Sequence, residues 1–357
     1  MLTTALLALG AILLDWLAGE PRRFHPLVGF GRLAAAVEGG LYGEPGCAPG
    51  SRRLRGLLAL VALLSPLTLA AVVVARLPYV GEVGSLLLLC FTLGHRSLHD
   101  HARAVARALD AGDPAGARRL AGRMVSRDTE SLEAEAATAE SVLENGNDGI
   151  FGALFWFAVA GAPGCLLYRL ANTLDAMWGY RDRRYRDFGW AAARLDDLLN
   201  YIPARLTALS YAILGRTGWA LHCWRTQAGA WESPNAGPVM AAGAGALGIT
   251  LGGPARYRGH WRERPPLGCG RLPRAGDIGR ALDLVRAVLG LWLGLLFLAA
   301  VARIPHTPSP ATMQGGLSED PCSVGVGFLS VAKTVSQPSL KCVAATPGRG
   351  QGGVVHA

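Results

Sequence analysis

Residues 56–75 contain no charged side chain, and that run decides which solvent the chain must fold in. At about 1.5 Å of rise per residue, a helix of that length crosses the roughly 30 Å hydrocarbon core of a bilayer. Three further apolar runs, 2–17, 78–94 and 287–302, read as spans, the first and last short enough to need flanking residues or local thinning. Of 357 residues, 51% are hydrophobic and only 17% charged, against about 25% charged in an average soluble domain. The expected fold is mainly α: a polytopic helical membrane protein with helical elements on its cytoplasmic side and a disordered C-terminal tail.

A net charge of +9 would suit nucleic acid. The basic residues, however, are almost all arginines dispersed through loops beside apolar runs, whereas a nucleic-acid surface clusters them among aromatics. No nucleic-acid partner is expected. Arginines beside spans act as orientation signals, so the six in residues 20–55 and the further set in residues 96–127 place both loops in the cytoplasm. Strict alternation would then send residues 168–201 outside, despite Arg169, Arg181, Arg183, Arg184, Arg186 and Arg194. The conflict disappears if run 149–171 dips into the membrane and returns, with Gly161-Ala162-Pro163-Gly164 as its turn. Run 202–221, carrying Arg205 and Arg216, reads as amphipathic.

Residues 1–19 lack a basic leader region, carry Asp15 and show no small-residue cleavage site before Glu20-Pro21. They read as a retained first span. Seven cysteines without a CxxC argue against a disulfide framework or a cysteine zinc site. From Pro305 the chain changes character: it holds both lysines, Lys333 and Lys341, and is rich in Pro, Ser, Thr, Gly and Val. This gives a division into residues 1–304 and a disordered or alien appendage, 305–357, without a role in the chemistry.

Four polar clusters interrupt the apolar runs. In the first, Ser126-Arg127-Asp128-Thr129 precedes a helical stretch that ends in Glu140-Ser141-Val142-Leu143-Glu144-Asn145-Gly146-Asn147-Asp148-Gly149. Asp128 or Thr129 suits an N-cap and Gly146 a helix stop. Glu133, Glu140 and Glu144 share one face, which is either a solvated surface or a row of like charges met by a cation or an arginine. The second cluster is Asn172-Thr173-Leu174-Asp175, followed by Tyr180, Arg184 and Tyr185. In the third, Arg194-Leu195-Asp196-Asp197-Leu198-Leu199-Asn200, Asp196 and Asn200 share a face while Asp197 can pair back to Arg194. Such oxygen-rich sets suit Mg²⁺. The fourth, Ser233-Pro234-Asn235-Ala236-Gly237 with Leu251-Gly252-Gly253-Pro254, fits an anion site or close helix packing equally well. His95, His99 and His101 have no acidic partner of the HExxH kind, so they read as an interfacial helix edge rather than a zinc site. With no GxxxxGK[ST], any nucleotide phosphate must be held by arginines and a metal.

Together these clusters resemble the CobD/CbiB family of cobalamin-biosynthesis membrane proteins. The likeness rests on Asp15, Gly19-Glu20-Pro21, His25-Pro26-Leu27-Val28-Gly29 and the four clusters in order, across about residues 11–303. Glu20 stands where many members carry Asp, which keeps the carboxylate. The resemblance implies ligation of adenosylcobyric acid to (R)-1-aminopropan-2-ol or its O-phosphate, with ATP as co-substrate, Mg²⁺ as cofactor, and adenosylcobinamide or its phosphate as product. It also implies a bacterial inner-membrane location with a cytoplasmic site, lipid contact, and other membrane-bound enzymes of the pathway as partners. On that reading Asp128, Asp148, Asp196, Asp197 and Asn200 serve the metal, with Glu144 also in reach of it. Arg127, Asn172, Arg184, Arg205, Ser233, Asn235 and His25 bind substrate or phosphate. Glu140, Glu144, Asn145 and Asp175 do the catalytic work, Glu140 or Asp175 taking the proton from the attacking ammonium. A transporter would instead carry its ionisable groups mid-span, and a non-catalytic scaffold would not need them.

Overall fold

The computed structural model describes residues 1–19, 26–44, 47–125, 127–257 and 259–302. Glu20, Pro21, His25, Ser126 and the stretch after 302 lie outside the described residues. Residues Met1–Ile304 form one compact unit. Its helices are α1 (Leu2–Ala18), α2 (Pro26–Leu41), α3 (Pro49–Arg76), α4 (Val80–Thr92), α5 (His95–Asp110), α6 (Pro114–Ala121) and α7 (Ala134–Gly146). They continue with α8 (Gly152–Trp178), α9 (Tyr185–Phe188), α10 (Trp190–Leu214), α11 (Thr217–Gln227), α12 (Ala236–Leu247) and α13 (Ala275–Val301). Two small antiparallel pairs separate the last two helices: β1 (Thr250–Leu251) with β4 (Leu267–Gly268), and β2 (Ala255–Tyr257) with β3 (His260–Arg262).

The helices are small inside and large outside. In α1 the buried stripe is Ala5, Ala8, Ala11, Ile12 and Asp15, while Leu6, Leu13 and Leu17 face outward. In α3, Ala59, Leu63 and Leu64 are buried and Leu57, Leu58, Val61, Leu69 and Val73 are exposed. This is how a helix packs when hydrocarbon surrounds it: small residues let backbones approach, and large apolar ones meet lipid. Helix α12 is buried throughout. A Cβ on its Gly245 would stand 2.8 Å from the Ala220 Cα of α11, and one on Gly243 2.8 Å from the Leu143 side chain of α7. The small-residue run after Ser233 therefore serves close packing.

Among the described residues three helical stretches are long and apolar enough to cross a membrane: Pro49–Arg76, Ala134–Trp178 and Ala275–Val301. The expected span at 56–75 falls inside the first and that at 287–302 overlaps the last up to Val301, both stretches being longer than the apolar runs. The expected span 78–94 is the 13-residue α4, about 20 Å long and too short to cross alone. The middle stretch turns back on itself. Gly161 sits at φ 65°, ψ −156°, a conformation essentially reserved for glycine. In a straight helix Gly152 and Tyr168 would be about 24 Å apart. Here a Cβ on Gly152 would collide with the Tyr168 ring, and the Tyr168 hydroxyl lies 3.3 Å from the Asp148 carbonyl oxygen. The run reverses at Gly161, with Pro163 near the start of the returning arm.

Two boundaries differ from expectation. Gly146 does not stop α7; a π-helical turn over Asn147–Phe151 carries the chain into α8. Glu133, not Asp128 or Thr129, stands at the α7 N-cap, and it is exposed while Glu140 and Glu144 turn inward. The three glutamates therefore do not form one row. His95 and His99 are not an interfacial edge: both are buried, and His95 stacks on Trp16 with ring centroids 5.2 Å apart. Asp15, 2% exposed, accepts the Arg96 N–H at 2.9 Å and ties α1 to the start of α5.

Candidate active site

The base of the hairpin carries a network of amides and carboxylates. The widened turn of a π-helix re-aims side chains that an α-helix would direct elsewhere, and here it points Asn147 and Asp148 at α10. Asn147 Nδ2 donates to Asp148 Oδ1 and to Asn200 Oδ1, both at 2.8 Å, while Asn147 Oδ1 accepts from the Thr207 hydroxyl at 2.9 Å. Asn200 Nδ2 donates to Asp148 Oδ1 at 3.1 Å and to Asp196 Oδ2 at 3.5 Å, and Asn200 Oδ1 accepts from Tyr168 at 3.0 Å. From the returning arm, Asn172 Nδ2 donates to Asp196 Oδ1 at 3.2 Å. Two carboxylates from different helices are thus held near one another by amide donors. A buried polar network of this kind persists only when its members are satisfied.

Two turns earlier, Glu140 is clamped. Its carboxylate, 2% exposed, accepts from Arg127, from Arg264 Nη1 at 2.9 Å and Nη2 at 3.3 Å, and from the Gly252 backbone N–H at 2.8 Å. Arg264 also donates to the Gly253 carbonyl at 2.9 Å and lies over the Trp231 ring. A carboxylate with two guanidiniums and a backbone donor on it is a poor proton acceptor. Glu140, expected with Asp175 as an alternative proton acceptor, is thus tied up in ion pairs, and Arg127 is committed to it rather than free for a phosphate. Glu144 is half-buried, lies on the Glu140 edge of α7 and lacks a hydrogen-bond or ion-pair partner among the described residues. With Arg127, Glu140, Tyr257, Arg262 and Arg264 it lines a chamber of about 240 Å³. Asp175 is likewise half-buried and free of such a partner.

The model of the CobD/Cbib protein family matches residues 8–285, about three-quarters of the chain. The chain belongs to the CobD/CbiB family. Relatives named "Cobalamin biosynthesis protein CobD" include one from Chromobacterium violaceum, 59% identical over 82% of this chain and 95% of its own length. One from Stutzerimonas stutzeri is 57% identical over 81% and 95% respectively. One from Mycobacterium tuberculosis is 40% identical over 80% and 92%. No solved structure matches.

The structure sorts the CobD/CbiB motif residues into those that converge and those that do not. Asp148, Asp196, Asn200 and Asn172 meet at the hairpin base. Asp128 lies elsewhere, its carboxylate accepting the Gly259 N–H at 2.7 Å and facing Arg256, so it fastens the β2–β3 hairpin. The Asp197 carbonyl, not its carboxylate, is the bonded group, accepting from Asn235 Nδ2 at 2.9 Å. Arg205 is likewise occupied: it donates to Asn235 Oδ1 at 2.6 Å and the Pro234 carbonyl at 3.0 Å, and stacks on Tyr201. The Ser233 hydroxyl accepts the Ala236 N–H at 3.1 Å, seating the α12 N-terminus. Arg184 is committed to Glu38 at 2.6 Å, whose other oxygen accepts from Trp178 at 3.0 Å. Asn145 sits on the edge of α7 away from Glu140 and Glu144, with Nδ2 on the Ser141 carbonyl at 2.9 Å. His25 lies outside the described residues.

Sequence reasoning missed Arg264, Glu38 and the central role of Asn147. Asn147 stood inside a quoted motif; nothing in the spacing around Arg264 or Glu38 singles them out. Among the described residues no three His, Cys, Asp or Glu side chains gather as a metal site. Mg²⁺, however, is commonly held by one or two carboxylates with substrate phosphates completing its shell. The paired carboxylates of Asp148 and Asp196, with amide oxygens beside them, are the hard oxygen donors such an ion takes.

Proposed function

We propose that this CobD/CbiB member acts in cobalamin biosynthesis as an adenosylcobinamide-phosphate synthase, joining a propionate of adenosylcobyric acid to (R)-1-aminopropan-2-ol or its O-phosphate at the expense of ATP. The observation that carries the reading is the convergence, at the base of one membrane hairpin, of Asp148 and Asp196 from two helices beside the uncommitted Glu144. A free carboxylate is a poor acyl donor. Transfer of the ATP terminal phosphoryl group makes an acyl phosphate and ADP; the amine then attacks the acyl carbon and inorganic phosphate leaves. Phosphoryl transfer is mainly positioning and charge neutralisation. Mg²⁺, held by Asp148 and Asp196, would supply that neutralisation.

The attacking amine arrives as an ammonium and must lose a proton. With Glu140 clamped, Glu144 is the carboxylate placed to take it, and Asp175 is the second. The Arg127–Glu140–Arg264 clamp fixes α7 against the Gly252-Gly253 turn and so holds Glu144 in the chamber wall. Arg262, stacked over the Tyr257 ring, is the arginine of that wall without a carboxylate partner among the described residues. The arginine-rich loops support a site on the cytoplasmic face of the inner membrane, the side on which ATP would be at hand.

The test is direct. Detergent-purified protein given adenosylcobyric acid, ATP, Mg²⁺ and either amine should form the amide. Glu144→Gln and Asp196→Asn should abolish product while leaving the amount of folded protein unchanged. Absence of amide from the unmodified protein would refute the assignment, and full activity in either variant would remove that residue from it.

A further inference from the structure

A second chamber, of about 220 Å³, opens on the other edge of α7. Successive helix residues are about 100° apart, so the pairs Glu140/Glu144 and Ser141/Asn145 face different neighbours. The first pair lines the acidic chamber; the other pair faces α5 and the returning arm of the hairpin. The walls of this second chamber include Ser97, His101, Arg123, Ser141, Asn145 and Arg169 and, among the described residues, contain no carboxylate. Neither Arg123 nor Arg169 has an ion pair among the described residues. The Arg169 guanidinium reaches only the Asp148 carbonyl, at a marginal 3.5 Å, and its Nε is buried with no partner. Arg123 stands exposed at the rim.

Arg52 and Arg256 also carry a buried Nε without a partner, but Arg169 carries its own beside a chamber whose described lining holds a second unpaired arginine. By contrast, the buried guanidiniums of Arg127 and Arg264 both meet the Glu140 carboxylate. A half-buried guanidinium with an orphaned N–H is a cost, and an arginine pair flanked by hydroxyl and amide groups is the arrangement that binds phosphate in a planar, two-pronged fashion. A chamber of this size excludes a corrin ring and admits a small molecule.

We infer that the Arg123–Arg169 chamber binds the phosphate group of a small phosphomonoester, and that for the reaction proposed above this is the phosphate of the amine donor. The second clause rests on the proposed ligase activity; the first does not.

The experiment uses the full chain in nanodiscs of phosphatidylcholine alone. Inorganic phosphate and aminopropanol phosphate should each raise the thermal midpoint, whereas unphosphorylated aminopropanol should not. Arg123→Gln, a rim substitution, and Arg169→Lys, which keeps the charge but loses the fork, should each weaken phosphate binding about tenfold or more. In turnover, KM for aminopropanol phosphate should rise by a similar factor in both variants while KM for the unphosphorylated amine stays constant. Unchanged phosphate affinity in both variants overturns the inference. So does stabilisation by added phosphatidic acid but not by inorganic phosphate, which would make the chamber a lipid-headgroup site. Phosphate binding that depends on both arginines, in a protein that forms no amide with either donor, would uphold the chamber and refute the ligase reading. Folding of each variant is checked by gel filtration and its ligand-free thermal midpoint.

Discussion

Removing the Glu140 carboxylate separates a structural clamp from a catalytic base. In Glu140→Ala two guanidiniums, 11–12% exposed, face a hole, and the Gly252 N–H loses its acceptor. Breaking a buried ion pair from one side costs about 3–5 kcal/mol, a large part of the roughly 5–15 kcal/mol by which a folded protein is stable. Arg264→Ala should cost less, because Arg127 still answers Glu140. The double variant should cost less than the sum of the two by about 1–3 kcal/mol, the signature of groups that share one network. Glu140→Gln retains two hydrogen-bonding heavy atoms but not the charge, and should fall between. The readout is unfolding in mixed micelles followed by far-UV circular dichroism, with amide formation measured on the same samples. If Glu140 served as the base, Gln would lower turnover by about 10²–10⁴ with little loss of stability. That result would refute the clamp.

Three shorter expectations follow from other parts of the fold. Gly161→Ala places a side chain at a glycine-only conformation in the hairpin tip, and should cost about 1–3 kcal/mol in the same unfolding assay; no loss would mean the arms do not turn there. Burial, with His99 and Arg286 adding to it, pushes His95 down to about 4. The unfolded chain therefore takes up this proton first, and the His95 contribution to stability should be level above pH 7 and fall by up to about 3 kcal/mol between pH 6.5 and 4. His95→Phe, which keeps the ring against Trp16, should flatten that slope. Deleting residues 305–357 should leave both folding and amide formation intact; loss of either would give the tail a role.

The parts of the fold that sequence revealed are those written in local chemistry. The hairpin was legible because a Gly-Ala-Pro-Gly break and an excess of arginines on its far side each demanded a return. The pairing of Asp196 with Asn200 followed from their separation by one helical turn. What stayed hidden depends on partners far apart in the chain. Arg264 reaches Glu140 across 124 positions and Arg184 reaches Glu38 across 146, and no period or motif encodes such pairings. A lone arginine therefore reads as a phosphate ligand until its carboxylate is found. Gly146 misled for a different reason. A glycine after a polar run commonly ends a helix in water, but here a π-turn over Asn147–Phe151 absorbs the break and keeps the backbone hydrogen-bonded into α8.

Asn145 brings the two edges of α7 into a single test. It lies in the wall of the basic chamber with its amide donating to the Ser141 carbonyl and hydroxyl at 2.9 and 3.0 Å. Asn145→Asp would place a carboxylate among arginines that lack one. If Arg123 and Arg169 are kept unpaired for a ligand, the new charge should relieve them, raising the thermal midpoint of the ligand-free protein, while phosphate, now competing with a resident anion, binds more weakly. Stability gained where binding is lost is the mark of a site held in a costly state for function. Arginines that were merely solvated would respond in neither measurement. A substitution that lowered both would show that the Asn145 amide, bound to Ser141, supports the helix rather than the ligand.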